Sequence, residues 1–262
     1  MSQRRTAPRR LPEGGGLDSV GFSPLGKDLT RIRSLCRQWL ACISATLTMC
    51  IVGSIYGWPT TSLLHLTSGT GGVPLTLSND EYSWIVSLSV LGSMIGSLEG
   101  ARLADRNGRK YGLLICSAMF TAGWIIIYAT ASVRALYLAR IIHGIGVGIA
   151  QTINPMYVSE VADIKFRGAV CALIAVNVYT GSLLTCGLGS WLTYKSLLLV
   201  LVIVSFISFL SNMWFPETPY FLVAKNQKKQ ACKSIAYYKG IVDPYKVQIE
   251  LRTLRSQTRY EL

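Results

Sequence analysis

The chain has 262 residues, of which 50% are hydrophobic and 15% charged, and it carries a formal net charge of +13. Its mean hydropathy is +0.38, and the apolar residues are gathered into long stretches rather than spaced at an amphipathic period. That distribution excludes an ordinary soluble domain, because stretches of about 20 apolar residues are what a bilayer core about 30 Å thick requires. An all-α membrane protein is predicted.

The amino-terminal segment, residues 1–37, is polar, Arg-rich and interrupted by Gly and Pro. It is too long and too hydrophilic for a cleaved signal peptide, so the first apolar stretch is expected to be retained. We expect residues 1–37 to form a disordered cytoplasmic arm.

Six apolar stretches follow and together predict a six-helix transmembrane bundle over residues 38–215. The predicted spans are 39–63, 83–103, 111–131, 135–158, 169–192 and 197–215.

The basic residues are distributed very unevenly across these spans. All but Arg134, Arg140 and Lys195 of the 26 Lys and Arg residues fall on the side that holds both termini. By the positive-inside rule both termini are cytoplasmic, and the loop 64–82 is on the outer side. The charge therefore reports membrane topology, and we predict no nucleic-acid partner.

The turn between spans two and three is the most informative short segment of the chain. Residues 101–110 read Ala-Arg-Leu-Ala-Asp-Arg-Asn-Gly-Arg-Lys and include Asp105, Arg106, Gly108 and Arg109. Because charges in the bilayer core cost several kcal/mol each, this turn must lie at a membrane surface.

Span four places polar and small residues on one face. At about 100° per residue its Arg140, Gly144, Gly148, Gln151 and Pro155 fall within a narrow arc, so Arg140 and Gln151 should point into the bundle or a wet cavity. Similar four-residue spacing of glycines in span two predicts close helix contacts.

After span six the sequence leaves the membrane at Pro216-Glu217-Thr-Pro219. Residues 216–262 are polar and helix-capable, and Asp243-Pro244 is a suitable start for the last segment. Val247, Leu251 and Leu254 give that segment one weakly apolar stripe. We predict a cytoplasmic helical linker that is cut short at residue 262.

Four strings in register resemble the sugar porters of the major facilitator superfamily, and most closely the insect facilitated trehalose or glucose transporter-like group. They are Asp105 to Lys110 after span two, Arg140 with Gly144 in span four, Pro155-Met-Tyr-Val-Ser-Glu160 running to Arg167-Gly168, and Pro216 to Pro219 after span six. The resemblance implies the first half of a twelve-span transporter, with its carboxy-terminal half missing.

The resemblance also implies two groups of functional residues. A conformational latch, which would join and release helices, corresponds to Asp105, Arg106, Gly108, Arg109, Arg140, Glu160, Arg167 and Glu217. Of these, Arg109, Glu160, Arg167 and Glu217 would lie at the cytoplasmic rim. The positions that match sugar-facing ones are Tyr56, Thr60, Gln151, Tyr179 and Ser182, whereas Ala175 stands where sugar porters usually carry Gln.

Two functions remain open at this point. One is transport of a sugar or related polyol by alternating access, with facilitated diffusion favoured because no Asp or Glu lies in the middle of a span. The other is a truncated isoform that does not transport and whose exposed helix faces bind a full-length relative or another copy of itself; without such a partner, the glycines of spans two and five would face lipid. No enzyme motif, metal cluster or cofactor site is predicted, and the plasma membrane is the expected location.

Overall fold

A computed structural model describes residues 24–68, 77–130, 132–163, 165–241 and 243–260, and within these ranges all regular structure is helical. The helices are α1 Pro24–Ser68, α2 Asn79–Asn107, α3 Arg109–Ala129, α4 Val133–Val161, α5 Arg167–Trp191, α6 Tyr194–Trp214, α7 Pro219–Ala224, α8 Lys228–Lys239 and α9 Pro244–Tyr260.

The six predicted spans are confirmed, since α1 to α6 are each long and apolar enough to cross a membrane. The start of α1 differs from the prediction: residues 24–37, which were expected to be disordered, are helical. The end of this extension is held in place, because Ser34 and Gln38 are buried and Gln38 donates to the Tyr238 carbonyl of α8 at 2.9 Å. The rest of the predicted arm, residues 1–23, lies outside the described residues.

α1 and α4 form the centre of the bundle. Within the membrane-candidate windows 72% of α1 and 56% of α4 are buried, against 22% of α2 and 17% of α5. α2 packs along α4, and α5 packs along α1. α3 and α6 together cover one side of the α1–α4 pair. In the described part of the chain, α2 and α5 share no extensive contact with each other.

Glycines bring the backbones of α2 and α4 together. A Cβ atom on Gly96 would lie 2.1 Å from the Ile145 carbonyl oxygen, and one on Gly148 would lie 2.2 Å from that of Ser93. Side chains at these positions would therefore separate the two helices. The expectation that the glycines of spans two and five would face lipid without a partner is wrong for Gly96 and Gly181, because Gly96 abuts the backbone of α4 and Gly181 abuts the backbone of α1.

A buried polar seam connects α6 to α1 and α3. Asn212 donates to the Thr48 and Ser117 hydroxyls at 3.0 and 3.1 Å, and its carbonyl oxygen accepts from Ser44 at 3.2 Å. Such bonds join helices where no hydrophobic effect drives their association.

Helices α7, α8 and α9 pack together at one end of the bundle, which we call the linker end. Val247, Leu254 and Ile235 are buried against one another, so the apolar stripe predicted for the last segment is confirmed. α9 begins at Pro244, as predicted, and the Asp243 carboxylate accepts from the Tyr245 amide at 2.9 Å.

Candidate functional site

The side of α1 and α4 that α3 and α6 leave uncovered is exposed, and we call it the open face. Tyr56 and Thr60 of α1 and Gln151 of α4 are exposed there, although the residues around them on both helices are mostly buried. The open face is therefore a polar strip on two otherwise buried helices.

Two of the predicted sugar-facing residues are in direct contact. Gln151 donates through Nε2 to the Tyr56 hydroxyl at 3.3 Å. This bond joins α1 to α4 across the open face and leaves an amide oxygen and a phenol beside it, which are groups suited to bonding hydroxyls.

The two α5 residues of the predicted set lie differently. Ser182 is half-buried beside Gly57 of α1, where its Oγ would be 3.1 Å from a Cβ on that glycine. Tyr179 is 76% exposed. Ala175 is exposed on the same helix, and Asn177 donates to its own helix at the Leu173 carbonyl, so it does not replace the missing amide.

At the linker end, residues from the α2–α3 turn, α3, α4 and the segment before α7 lie close together. We call this group the linker-end cluster; its members are Gly108, Arg109, Glu160, Glu217 and Thr218. Arg109 Nε lies 3.0 Å from Glu160 Oε1, and both side chains are only 15% exposed. The Thr218 hydroxyl donates to the other Glu160 oxygen. One carboxylate thus connects α3, α4 and the start of α7.

Glu217 caps the amino terminus of α3. Its Oε1 accepts from the backbone amides of Arg109 and Lys110 at 3.1 and 3.0 Å. A carboxylate is stabilised at this position by the unpaired amides and the helix dipole. Gly108 makes the approach possible: its φ is +105°, and a Cβ there would lie 2.4 Å from Glu217 Oε2.

The other residues of the predicted latch lie at the edge of this cluster or outside it. Asp105 is exposed, and its Oδ1 lies 4.0 Å from Arg109 Nη1, at the limit of ion-pair distance. Arg106 is also exposed. Among the described residues no ion pair joins Arg167 to Glu160, and the buried Nε of Arg167 has no hydrogen-bond partner there.

Arg140 does not belong to the linker-end cluster. It precedes Glu160 by 20 positions on α4, which is about 30 Å along a helix. The side chain is fully buried, donates to the Ile55 carbonyl at 3.2 Å and lies over the Trp58 ring at 4.2 Å.

Sequence reasoning missed two residues that hold the linker end together. Thr218 lies within the motif Pro216-Glu217-Thr-Pro219, where the sequence argument rests on the charge of Glu217 and on the two prolines. Tyr238 of α8 is buried, donates to the Pro216 carbonyl at 2.8 Å and hydrogen-bonds the Tyr157 hydroxyl at 3.0 Å. Burial raises the pKa of the Tyr238 hydroxyl, so the hydroxyl stays protonated and can donate. The sequence signal for this residue is an aromatic side chain in a helix that is otherwise polar and rich in lysine.

The described residues contain neither a candidate metal site nor a disulfide bond. No group of three or more His, Cys, Asp or Glu side chains there could hold a metal ion. The seven cysteines are all free.

The chain belongs to the family described as "Sugar (and other) transporter", whose model matches residues 41–259. It is a multi-pass membrane protein of a transporter family and not an enzyme.

Individual relatives agree with this assignment. The chain is 29% identical to bovine (Bos taurus) solute carrier family 2, facilitated glucose transporter member 8, over 91% of this chain and 46% of that protein. It is 29% identical to the facilitated trehalose transporter Tret1 of Bombyx mori, over 82% of this chain and 41% of that protein. The chain thus spans less than half the length of these two relatives.

The fold matches the major facilitator superfamily. The proton:xylose symporter XylE of E. coli, bound to 6-bromo-6-deoxy-D-glucose, superposes with a TM-score of 0.74 at 20% identity. The match covers 87% of this chain and 54% of XylE. The six-helix bundle therefore has the architecture of half of that fold.

Proposed function

We propose that this chain forms the amino-terminal half of an alternating-access transporter for a sugar or related polyol. The observation that carries the proposal is the open face, where Tyr56 and Gln151 are hydrogen-bonded and exposed on two otherwise buried helices. In such transporters solute binds near the bilayer midplane between two halves, so one wall of the site would lie here.

The linker-end cluster supports the alternating-access part of this proposal. The pair between Arg109 and Glu160 joins helices within this half, and Glu217 attaches the exit of α6 to the start of α3. A latch of this kind would stabilise one state of the transporter and open in another. Asp105 Oδ1 already lies 4.0 Å from Arg109 Nη1, whereas Arg106 and Arg167 would join the latch only in a different state.

Facilitated diffusion is the transport mode that the charges favour. In the described spans Arg140 has no acidic partner, and the carboxylates of the spans lie toward their ends rather than at mid-span. Proton coupling normally needs an ionisable group deep in the bundle.

The membrane orientation follows from the basic residues. The linker end would face the cytosol together with both termini, since Lys and Arg residues concentrate there. The plasma membrane is the location we propose.

Uptake into proteoliposomes tests the proposed transport. The chain would be reconstituted alone or with a separately expressed second half of a relative, and the uptake of labelled glucose, trehalose and myo-inositol would be measured. We expect uptake only when both halves are present, without dependence on a pH gradient, and weaker apparent affinity for Gln151→Leu. No uptake in either arrangement, while the intact relative transports normally, would reject the proposal.

The apolar faces of α2 and α5 favour a second candidate, a chain that associates with a full-length relative without transporting. Leu98 is 71% exposed, Leu183 73% and Trp191 91%, and continuous apolar faces of this kind mark interaction surfaces. Co-purification with a relative, in the absence of uptake in every reconstitution, would select this alternative.

A further inference from the structure

Pro59 interrupts the hydrogen-bond ladder of α1 inside the membrane. Proline has no amide hydrogen, so it cannot donate to the carbonyl of the residue four positions earlier, which is Ile55. An unpaired carbonyl costs several kcal/mol in hydrocarbon, and α1 nevertheless continues through Pro59 without a break.

Arg140 of α4 supplies the missing donor. Its Nη1 lies 3.2 Å from the Ile55 carbonyl oxygen, and its guanidinium covers the Trp58 ring at 4.2 Å. Tyr82, from the start of α2, donates to the Pro59 carbonyl at 3.0 Å. Two neighbouring helices therefore bond to the turn that contains the proline.

A carboxylate would be the usual partner for a fully buried guanidinium. Among the described residues no acidic side chain is within ion-pair distance of Arg140. The groups that offset its charge are a backbone carbonyl and an aromatic ring, and both belong to the turn of α1 just described.

This turn also carries one of the open-face residues. Tyr56 directly follows Ile55 and accepts the hydrogen bond from Gln151. A shift of the Ile55 peptide would therefore move the Tyr56 side chain relative to Gln151.

We propose that Arg140 is a positioning residue: it replaces the helical hydrogen bond that Pro59 removes, and it thereby fixes Tyr56 against Gln151 on the open face. The contact with the carbonyl stands on geometry alone. Only the consequence for solute binding rests on the proposed transport function.

A double-mutant cycle tests this role. Pro59→Ala restores an amide that can bond the Ile55 carbonyl within α1, so the donor from Arg140 should no longer be needed. Arg140→Met removes the donor while keeping an unbranched side chain of similar length. Amide hydrogen exchange over residues 55–63 would be measured in nanodiscs for the four combinations.

In the native background we expect Arg140→Met to accelerate exchange in this segment about tenfold, as loss of one hydrogen bond from a charged group would. In the Pro59→Ala background the same substitution should have little effect. Arg134→Gln, which changes an exposed arginine of the same helix, serves as the control and should leave exchange unchanged in both backgrounds.

Equal effects of Arg140→Met in both backgrounds would overturn the proposal and assign the role of Arg140 to its charge or its contact with Trp58. If Arg140→Met alone does not fold, recovery of folded protein by adding Pro59→Ala supports the proposal. Failure to recover, while Pro59→Ala itself folds, overturns it. The exchange cycle uses no sugar, so it is independent of the transport assay; where uptake is observed, solute affinity should follow the same pattern.

Discussion

Two carboxylates at the linker end have different roles, although both belong to motifs of charged residues. Glu160 is shared between the Arg109 guanidinium and the Thr218 hydroxyl. Glu217 bonds backbone amides at the start of α3 and is reached only because Gly108 has a positive φ and no side chain. Glu160 therefore joins separate elements through side-chain contacts, whereas Glu217 completes a helix.

We predict that Gly108→Ala destabilises the protein by about 1–3 kcal/mol, because the methyl group would be strained at positive φ and would displace Glu217. Thermal unfolding in nanodiscs measures the change. Gly168→Ala is the control, since a Cβ at that position meets no atom within 4 Å. Equal melting temperatures for the two variants would contradict this reading of the α2–α3 turn.

We also predict that Glu160→Gln costs about 1–3 kcal/mol, the usual value for lost hydrogen bonds to a charged group. In a transporting complex it should lower turnover more than solute affinity. The control is Glu99→Gln, which breaks an exposed pair with Arg102 and should cost under about 1 kcal/mol. A change confined to solute affinity would argue against a latch.

Sequence reasoning located the charged residues of the linker end but not their pairing. The structure brings Arg109, Glu160 and Glu217 together, and each of them follows or ends an apolar span on the same side. The predicted latch also includes Arg167, which forms no ion pair with Glu160 in the described structure, and Arg140, which lies about 30 Å along α4 from Glu160. Neither assignment could be corrected from the sequence, since the partner of a charge depends on helix rotation and on neighbours that hydropathy does not specify.

At the scale of helices, polar contacts inside the membrane join elements that are otherwise apolar. Asn212 connects α6 to α1 and α3, and Arg140 connects α4 to α1. The spans themselves were predictable from apolar length. The helix that the glycines of α2 contact could not be predicted, because small residues indicate a close contact without identifying the partner helix.

The polar seam gives a prediction at this scale. Asn212→Leu should lower the free energy of unfolding by about 1–2 kcal/mol through loss of interhelical hydrogen bonds. Asn177→Leu is the matched control, because in the described structure the Asn177 amide donates to the Leu173 carbonyl of its own helix and joins no second helix. Comparable losses for both variants, measured by thermal unfolding in nanodiscs, would show that the seam adds nothing to helix association.

For the whole molecule, the distribution of exposure and charge is asymmetric. α3 and α6 present apolar residues on the outside of the bundle, whereas the open face combines polar groups with the apolar flanks of α2 and α5. Basic residues are concentrated at the linker end. One side of the bundle therefore suits lipid, and the opposite side is the one that we propose faces a second set of helices.

The orientation of the chain can be tested with its own cysteines. We predict that a membrane-impermeant thiol reagent leaves Cys36 and Cys232 unlabelled in intact cells and labels at least the exposed Cys36 after permeabilisation. Asp80→Cys lies at the start of α2, at the end of the bundle opposite the linker end, and should be labelled in intact cells. Labelling of Cys36 without permeabilisation would invert the proposed topology.

The most direct measurement concerns the open face itself. In a cysteine-free background with the second half present, Gln151→Cys should react with a small water-soluble thiol reagent, and saturating transported sugar should slow that reaction. Phe206→Cys, on the apolar outer side of α6, should stay unreactive with or without sugar. A cysteine at 151 as unreactive as one at 206, or a reaction rate that sugar does not change, would contradict the assignment of this face to a solute site.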